Sequence, residues 1–393
     1  MHSAIKELAR KEHAFFLYDA DIIKKQISSL KALPANVDVF YAMKANPHDE
    51  IVRFALNSNI LSGIEIASRG EAEKVLGHSN FLDKVIYTGP SKRPDELSFV
   101  LNRDIQLINM ESLTEAYRIQ ELARTPQQAL LRVNANREIH GAATQMSSTN
   151  KPSAFGVLEE YAPEVIKQIK KLDKLNLAGI HIFSASGVLD AKILLDHIDY
   201  SFTLIKSLES ETRSKFSTID FGGGFGIDYS GHRIFDIDTF SSGLEELIGK
   251  HSMQDKRLIL ELGRYIVADS GYFCTKINDI KLSRGKKVII CTAGINAHKR
   301  PSVMKIEYPI DILPIEEKII YPGQLICDHE TVEIRGPICS EADYQSVNAF
   351  VPHAEIGDFV VMGKSGAYGL TMSQIEFLSH PRVKEVVFGG KNE

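Results

Sequence analysis

The chain has 393 residues, which at about 150 residues per domain asks for roughly two or three domains or for one large barrel with an appendage. Apolar residues make up 44% and charged residues 25%, which excludes collagen-like, disordered and disulfide-scaffold classes. Lys plus Arg total 46 against 51 for Asp plus Glu, a net charge of −5, so no basic excess exists to recruit nucleic acid.

No apolar run approaches the ~18 residues of a membrane span. The start, MHSAIKELARKEH, lacks the apolar core and small-residue cleavage site of a secretory signal. The four cysteines, Cys274, Cys291, Cys327 and Cys339, lie far apart and form no CxxC pair. These features predict a cytoplasmic protein with reduced thiols and neither a bridge nor a metal site.

In chain order, AFFLYD (14–19) is a first strand. Eight further apolar or β-branched runs follow: VFYAMK (39–44), IEIAS (64–68), VIYTG (85–89), IQLINM (105–110), LLRVN (130–134), GIHIF (179–183), STIDF (217–221) and LILEL (258–262). The spacers carry helical signals. Leu113, Ala116, Tyr117 and Leu122 share a face, as do Val165, Ile169 and Leu172, and Ser112 with Glu115 reads as a capping box. Strand then helix, eight times over, is the rhythm of a (β/α)8 TIM-type barrel, an α/β fold, with an open doubly wound sheet as the alternative. The stretch EIHGAATQMSSTNKPS (138–153) is polar and small enough to act as a lid over an opening.

After Arg264 the period shortens. YFCTKINDIKL, KKVIICT, IIYPGQLIC, ETVEIRG and DFVVMG read as strands of a C-terminal β-rich domain, a barrel or sandwich, to which AFFLYD can pair. The expected division is therefore a barrel over 27–265 and a discontinuous β domain from 1–26 and 266–393.

Reactive groups of such a barrel collect at the C-terminal ends of its strands. Lys44, Glu65, Arg132, His181, the glycines Gly222, Gly223 and Gly224, Glu261 and Arg264 all fall there. Singly each has a plain reading: a solvated strand end for Lys44, a tight turn for the glycines, a satisfied core side chain for His181. Their common polarity is what carries the argument. The glycine run lets backbone N–H groups approach an anion, and Arg264 adds a guanidinium, so a phosphorylated cofactor is expected.

Taken together, FYAMKAN, HIFSAS, DFGGGFG, ELGRYIVA, GPICSEAD and SGAYG resemble, in order and spacing, the fold-type III pyridoxal-phosphate decarboxylases of the ornithine, arginine and diaminopimelate decarboxylase family. The resemblance runs nearly end to end. It implies that Lys44 holds pyridoxal 5'-phosphate through its amine, and that Glu261 faces the pyridine nitrogen and keeps it protonated. It implies that His181 stacks on the ring, that Glu65 and Arg132 complete a polar floor, and that Ser184, Gly223, Gly224, Arg264 and Tyr368 hold the phosphate. Cys339 and Asp343 resemble the segment that enters the site from a partner subunit, where a thiol returns a proton to Cα. A homodimer with shared active sites follows from the resemblance.

The departures bear on substrate. Ser340 follows Cys339 where family members that bind a distal amine carry an acid, and Glu341 stands one position late. INAHKRPSVM (295–304) resembles the segment whose arginine binds a distal carboxylate, so Arg300 takes that place, while Met304 stands for a substrate-binding tyrosine. Leu262 replaces a proline and Phe183 a glycine. The set of substrate contacts expected is Arg300, Ser340, Glu341 and Asp343. HIFS, GRYIVADSGY, GAYGLTMSQIEFLSHP and PSAFGV resemble the siderophore-biosynthesis branch, which decarboxylates an amino acid joined to citrate, such as citryl-diaminopropionate. Diaminopimelate decarboxylase, a decarboxylase of a carrier-bound glutamyl group, racemase chemistry and a non-catalytic decarboxylase-like binding protein are the alternatives.

Overall fold

The eight apolar runs form eight parallel strands: β1 (Val37–Ala42), β2 (Gly63–Ile66), β3 (Val85–Tyr87), β4 (Leu107–Met110), β5 (Gln127–Asn134), β6 (Leu175–His181), β7 (Thr218–Asp220) and β8 (Arg257–Leu262). Each pairs with the next in sequence, and β8 returns to β1 with Leu258 opposite Val37 and Leu262 opposite Tyr41. The sheet is closed, so the open-sheet alternative falls. A computed structural model describes residues 2–137, 144–145, 152–183, 185–316 and 318–390. The predicted lid over 138–153 and Ser184 lie outside the described residues, except for 144–145 and 152–153.

The chain divides into two compact units: Gln26–Ile227 with Ile234–Ile266, and Met1–Lys25 with Asp228–Arg233 and Val267–Glu393. Inside the first, Phe40, Ile86, Leu107, Leu130, Ala178 and Ile259, from six different strands, pack into one cluster. Burying each such side chain stabilises the barrel by about 1.5–3 kcal/mol. A helix follows each of the first four strands, at Asp49–Leu56, Arg69–Leu76, Pro94–Leu101 and Leu113–Leu122. Ser68 and Ser112 cap two of them by accepting the N–H of Glu71 and Glu115.

The predicted capping box at Ser112 forms by half. The Glu115 carboxylate turns to the buried Lys92 ammonium at 2.6 Å instead of back to the cap. The buried face of that helix is Glu115, Ala116 and Ile119, and Tyr117, expected inside, is 45% exposed.

In the second unit a mixed sheet runs in the order Ile310–Leu313, Phe359–Met362, Gly271–Ser283, Lys286–Cys291, Cys327–Arg335, Tyr344–Ala354. The early strand Ala14–Asp19 joins it antiparallel to Gly271–Ser283 and parallel to Lys384–Phe388. Of IIYPGQLIC only Cys327 is in a strand; Ile319, Ile320 and Tyr321 are exposed, because Pro322 and Gly323 break the run. The core here is Phe15, Leu17, Cys274, Phe359 and Val361 with Ile5 and Leu313. Among the described residues no helix is long and apolar enough to cross a membrane.

Candidate active site

At the C-terminal rim of the barrel, β1 ends in a single tight turn, Met43–Ala45, which carries Lys44. Its Nζ lies 2.7 Å from Glu65 Oε2 of β2; the lysine side chain is 44% exposed while Glu65 is buried. The amine is therefore held by a carboxylate yet reachable. Glu65 Oε1 has no hydrogen-bond partner among the described residues. A third charge joins them: Glu71, whose Oε2 accepts from the Ala67 N–H at 2.6 Å, is pushed up to about 7, first by burial and then by the neighbouring Glu65.

Across the barrel mouth, Glu261 of β8 accepts from Thr88 Oγ1 at 3.0 Å and from Asn109 Nδ2 at 3.2 Å. Asn109 also donates to Asp220 Oδ2 of β7 at 3.0 Å, and Asp220 Oδ1 accepts from the Gly222 N–H at 2.8 Å. Burial raises Asp220 to about 6. Burial and then the charge of Asp220 raise Glu261 well above the carboxylate range. Glu261 thus holds a proton near neutrality, and Asp220 takes one up as the pH falls through about 6.

His181 closes β6. It is fully buried, both ring nitrogens lack a partner among the described residues, and burial followed by the charges of Arg132 and Lys44 keeps it neutral. Nitrogen or oxygen atoms of His181, Asp220 and Glu261 lie within 4.8 Å of one another.

Arg132 of β5 reaches Glu111 Oε1 at 3.3 Å, while its Nε and Nη2 have no partner among the described residues. Phe155 and Phe183 lie 4.4 Å and 5.8 Å from the guanidinium carbon. Phe183 also explains Gly222: with φ +63°, a Cβ there would come within 2.6 Å of the Phe183 ring. At Gly223 a Cβ would approach the Glu261 carbonyl to 2.5 Å, so the loop lies directly on the end of β8. Arg264 Nη2 contacts Ser186 Oγ at 3.3 Å.

The remaining predicted residues belong to the second unit. Arg300 opens a short helix, Arg300–Met304, and is 4% exposed. Its guanidinium lies over the ring of Tyr368, 5.2 Å from the centroid, and Tyr368 holds a left-handed backbone with φ +56°. Cys339 and Ser340 are exposed, and Ser340 Oγ accepts from the Ala342 N–H at 3.2 Å. Glu341, almost fully exposed, pairs with Arg335 at 3.3 Å. Asp343 departs from the substrate-contact expectation. It is buried, and its two oxygens accept from the N–H groups of Ile295 at 2.8 Å and Ile338 at 2.6 Å. That carboxylate braces the segment presenting Cys339.

Within the barrel, then, the structure brings Lys44 to Glu65 and Glu261 to the neighbourhood of His181. Sequence reasoning missed Asp220, Asn109, Thr88, Glu111 and Glu71. Asp220 had a signal: an acid inside the apolar run STIDF, the same feature that singled out Glu261.

Residues 19–268 match the family described as pyridoxal-dependent decarboxylase, pyridoxal binding domain. The chain is 29% identical over 384 residues to 2-[(L-alanin-3-ylcarbamoyl)methyl]-2-hydroxybutanedioate decarboxylase of Staphylococcus aureus, covering 96% of this chain and 95% of that protein. It is 31% identical over 356 residues to diaminopimelate decarboxylase of Methanothermobacter thermautotrophicus, covering 89% and 79%. It is 28% identical to an L-glutamyl-[BtrI acyl-carrier protein] decarboxylase of Niallia circulans over 96% of this chain and 89% of that one. Among solved structures, diaminopimelate decarboxylase of Helicobacter pylori complexed with L-lysine superposes with a TM-score of 0.86 at 27% identity, over 98% of this chain and 94% of that one.

The barrel rim fits pyridoxal phosphate on its own features. A reachable amine faces a carboxylate, a fully buried imidazole makes no hydrogen bond among the described residues, and two carboxyls of raised proton affinity lie beside it. A glycine loop at a strand end, with Arg264 near, suits a phosphate.

Proposed function

This chain belongs to the pyridoxal-dependent decarboxylases and is a pyridoxal-phosphate carboxy-lyase, and from that premise we propose that it removes the α-carboxylate of an amino acid whose distal end carries carboxylates, in particular a diaminopropionate joined to citrate. The supporting observation is Arg300: a guanidinium 4% exposed, with Nε unpartnered and no ion pair to it among the described residues. Arginine cannot shed its charge, so burying it without a counter-ion costs free energy until an anion arrives. A citrate carboxylate is such an anion, and the Staphylococcus aureus relative acts on a substrate of that kind by its name.

The bound cofactor supplies an electron sink for the bond broken at Cα. In this reading Lys44 holds it through Nζ, and Glu65 orients that amine and sets its basicity. Glu261, beside Asp220, would supply the proton at the ring nitrogen. His181 would offer the ring a neutral face, and Arg132 would border the floor. Gly223, Gly224, Ser184, Arg264 and Tyr368 bind the phosphate. The Cys339 Sγ–H returns a proton to Cα after carbon dioxide leaves. The working unit is a homodimer in the cytoplasm, in which Cys339 serves the partner's site, and the pathway is siderophore biosynthesis.

Incubating the holoprotein with the citryl-linked diaminopropionate, meso-diaminopimelate and L-ornithine, and weighing the products, tests the substrate. Loss of one carbon dioxide is expected fastest from the citryl conjugate. Faster loss from meso-diaminopimelate overturns the assignment.

A further inference from the structure

Tyr229 takes no part in the roles above, yet it sits against Arg300. The residue is 8% exposed, and the Arg300 guanidinium lies over its ring, 5.8 Å from the centroid. With Tyr368 at 5.2 Å, two aromatic rings flank one buried cation. Distances below ~6 Å are those at which a ring quadrupole attracts a guanidinium.

Two further features fix Tyr229. Behind it, its ring meets that of Tyr308 at 4.5 Å, and Tyr308 meets His298 edge-on at 5.0 Å, so the ring is backed by a buried aromatic column. Burial, and then the charge of Arg300, push His298 down to about 3, so this column offers Arg300 no charge. In front, the segment Asp228–Arg233 is tied by the Asp228 carboxylate, which accepts from the N–H groups of Ser230, His232 and Arg233 at 3.0, 3.1 and 2.9 Å and from Ser230 Oγ at 2.6 Å. One acid thus sets the backbone that carries the ring.

A flexible arginine loses rotamer freedom when it is fixed, so a site that reads a carboxylate gains from holding it in advance. We infer that Tyr229 is a positioning residue which, with Tyr368, clamps the Arg300 guanidinium in the orientation that receives the substrate's distal carboxylate. It supplies an aromatic partner from a separate segment, where position 304 holds a methionine. The inference rests on the reading of Arg300 given above.

Tyr229→Met keeps the volume and removes the ring face, Tyr229→Phe keeps the ring, and Arg300→Gln removes the cation. On the holoproteins, KM and kcat are measured with the citryl-linked diaminopropionate. The dissociation constant of tricarballylate, a tricarboxylate without an amine, is measured by calorimetry. Tyr229→Met is expected to raise KM and that dissociation constant about five- to thirtyfold, or about 1–2 kcal/mol at about 1.4 kcal/mol per tenfold, with kcat within about threefold. Tyr229→Phe is expected to restore both to within about twofold. A Tyr229→Met protein with wild-type KM and affinity, or one that loses kcat alone, overturns the clamp. If Arg300→Gln weakens tricarballylate and Tyr229→Met does not, the clamp fails while the carboxylate reading stands. If wild type and Arg300→Gln bind it equally, the carboxylate reading fails and takes the clamp with it. Should Tyr229→Met not fold, Asp228→Ala unties the supporting turn and is judged by the same two constants, in the same direction.

Discussion

The barrel floor and the surroundings of Arg300 bury charge in opposite ways. On the floor, Glu261 keeps a proton, Asp220 is raised to about 6, His181 stays neutral, and the buried guanidinium of Arg132 is paired with Glu111 at 3.3 Å. Around Arg300 no such route exists, because a guanidinium does not deprotonate and the neighbouring His298 is neutral. The difference teaches that titratable groups and an internal ion pair settle a site from within, whereas a buried arginine with no ion pair among the described residues favours an anion from outside. One region fits a ring nitrogen and an aldehyde, the other a carboxylate.

The largest change should come from the floor. Lys44→Ala is expected to lower kcat on the order of 10^4- to 10^6-fold, since it removes the amine on which the whole unit depends. Borohydride reduction and digestion should then leave cofactor on the wild-type peptide containing residue 44 and none on the variant. A wild-type peptide free of cofactor would remove Lys44 from the site. Glu261→Gln keeps the shape and the hydrogen-bond reach but cannot carry the proton, so kcat should fall about 10^2- to 10^4-fold while the protein still takes up the cofactor. Unchanged turnover would break the assignment of the ring-nitrogen proton to this residue.

The Arg300 region should respond differently. Arg300→Gln is expected to raise KM for the citryl conjugate about 10- to 100-fold, the range of one charge-assisted pair. Yet the thermal midpoint of the ligand-free protein should not fall, because the substitution removes a buried charge that has no counter-ion among the described residues. A drop of several degrees would show that the cation is paid for internally, and the contrast between the two regions would collapse.

Much of this was legible from residue order, for a physical reason. The barrel strands are short apolar runs buried on both sides, and all eight were located to within a few residues. Polar residues inside such runs, Glu65, Arg132, His181 and Glu261, have to be satisfied by one another or by a ligand, which is why the run itself marks them. The second unit was harder to read. Tyr344–Ala354 alternates with polar residues and contains Pro352, and it escaped notice, whereas 319–326 looked like a strand and lies exposed. Tyr229 carried no local signal, since its partners Tyr308 and Arg300 are joined to it only by the fold.

The smallest effect isolates the floor's discharging mechanism. Asp220 has an ordinary value of 3.8 and is raised to about 6 in the fold, so between those pH values the native state binds more protons than the unfolded chain. Its contribution is then most favourable in acid and is lost as pH rises through that window. Asn at 220 keeps a hydrogen-bonding side chain and cannot ionise. The thermal midpoint of Asp220→Asn apoprotein relative to wild type should therefore climb by a few degrees from pH 4 to pH 6 and then level off. Glu261, Glu65 and His181 face the same space, and burial of neutral His181 lowers stability in acid for both proteins alike, so it cancels in the difference. A difference that does not change over this range would mean that Asp220 is ionised in the fold, and that Glu261 alone stores the proton.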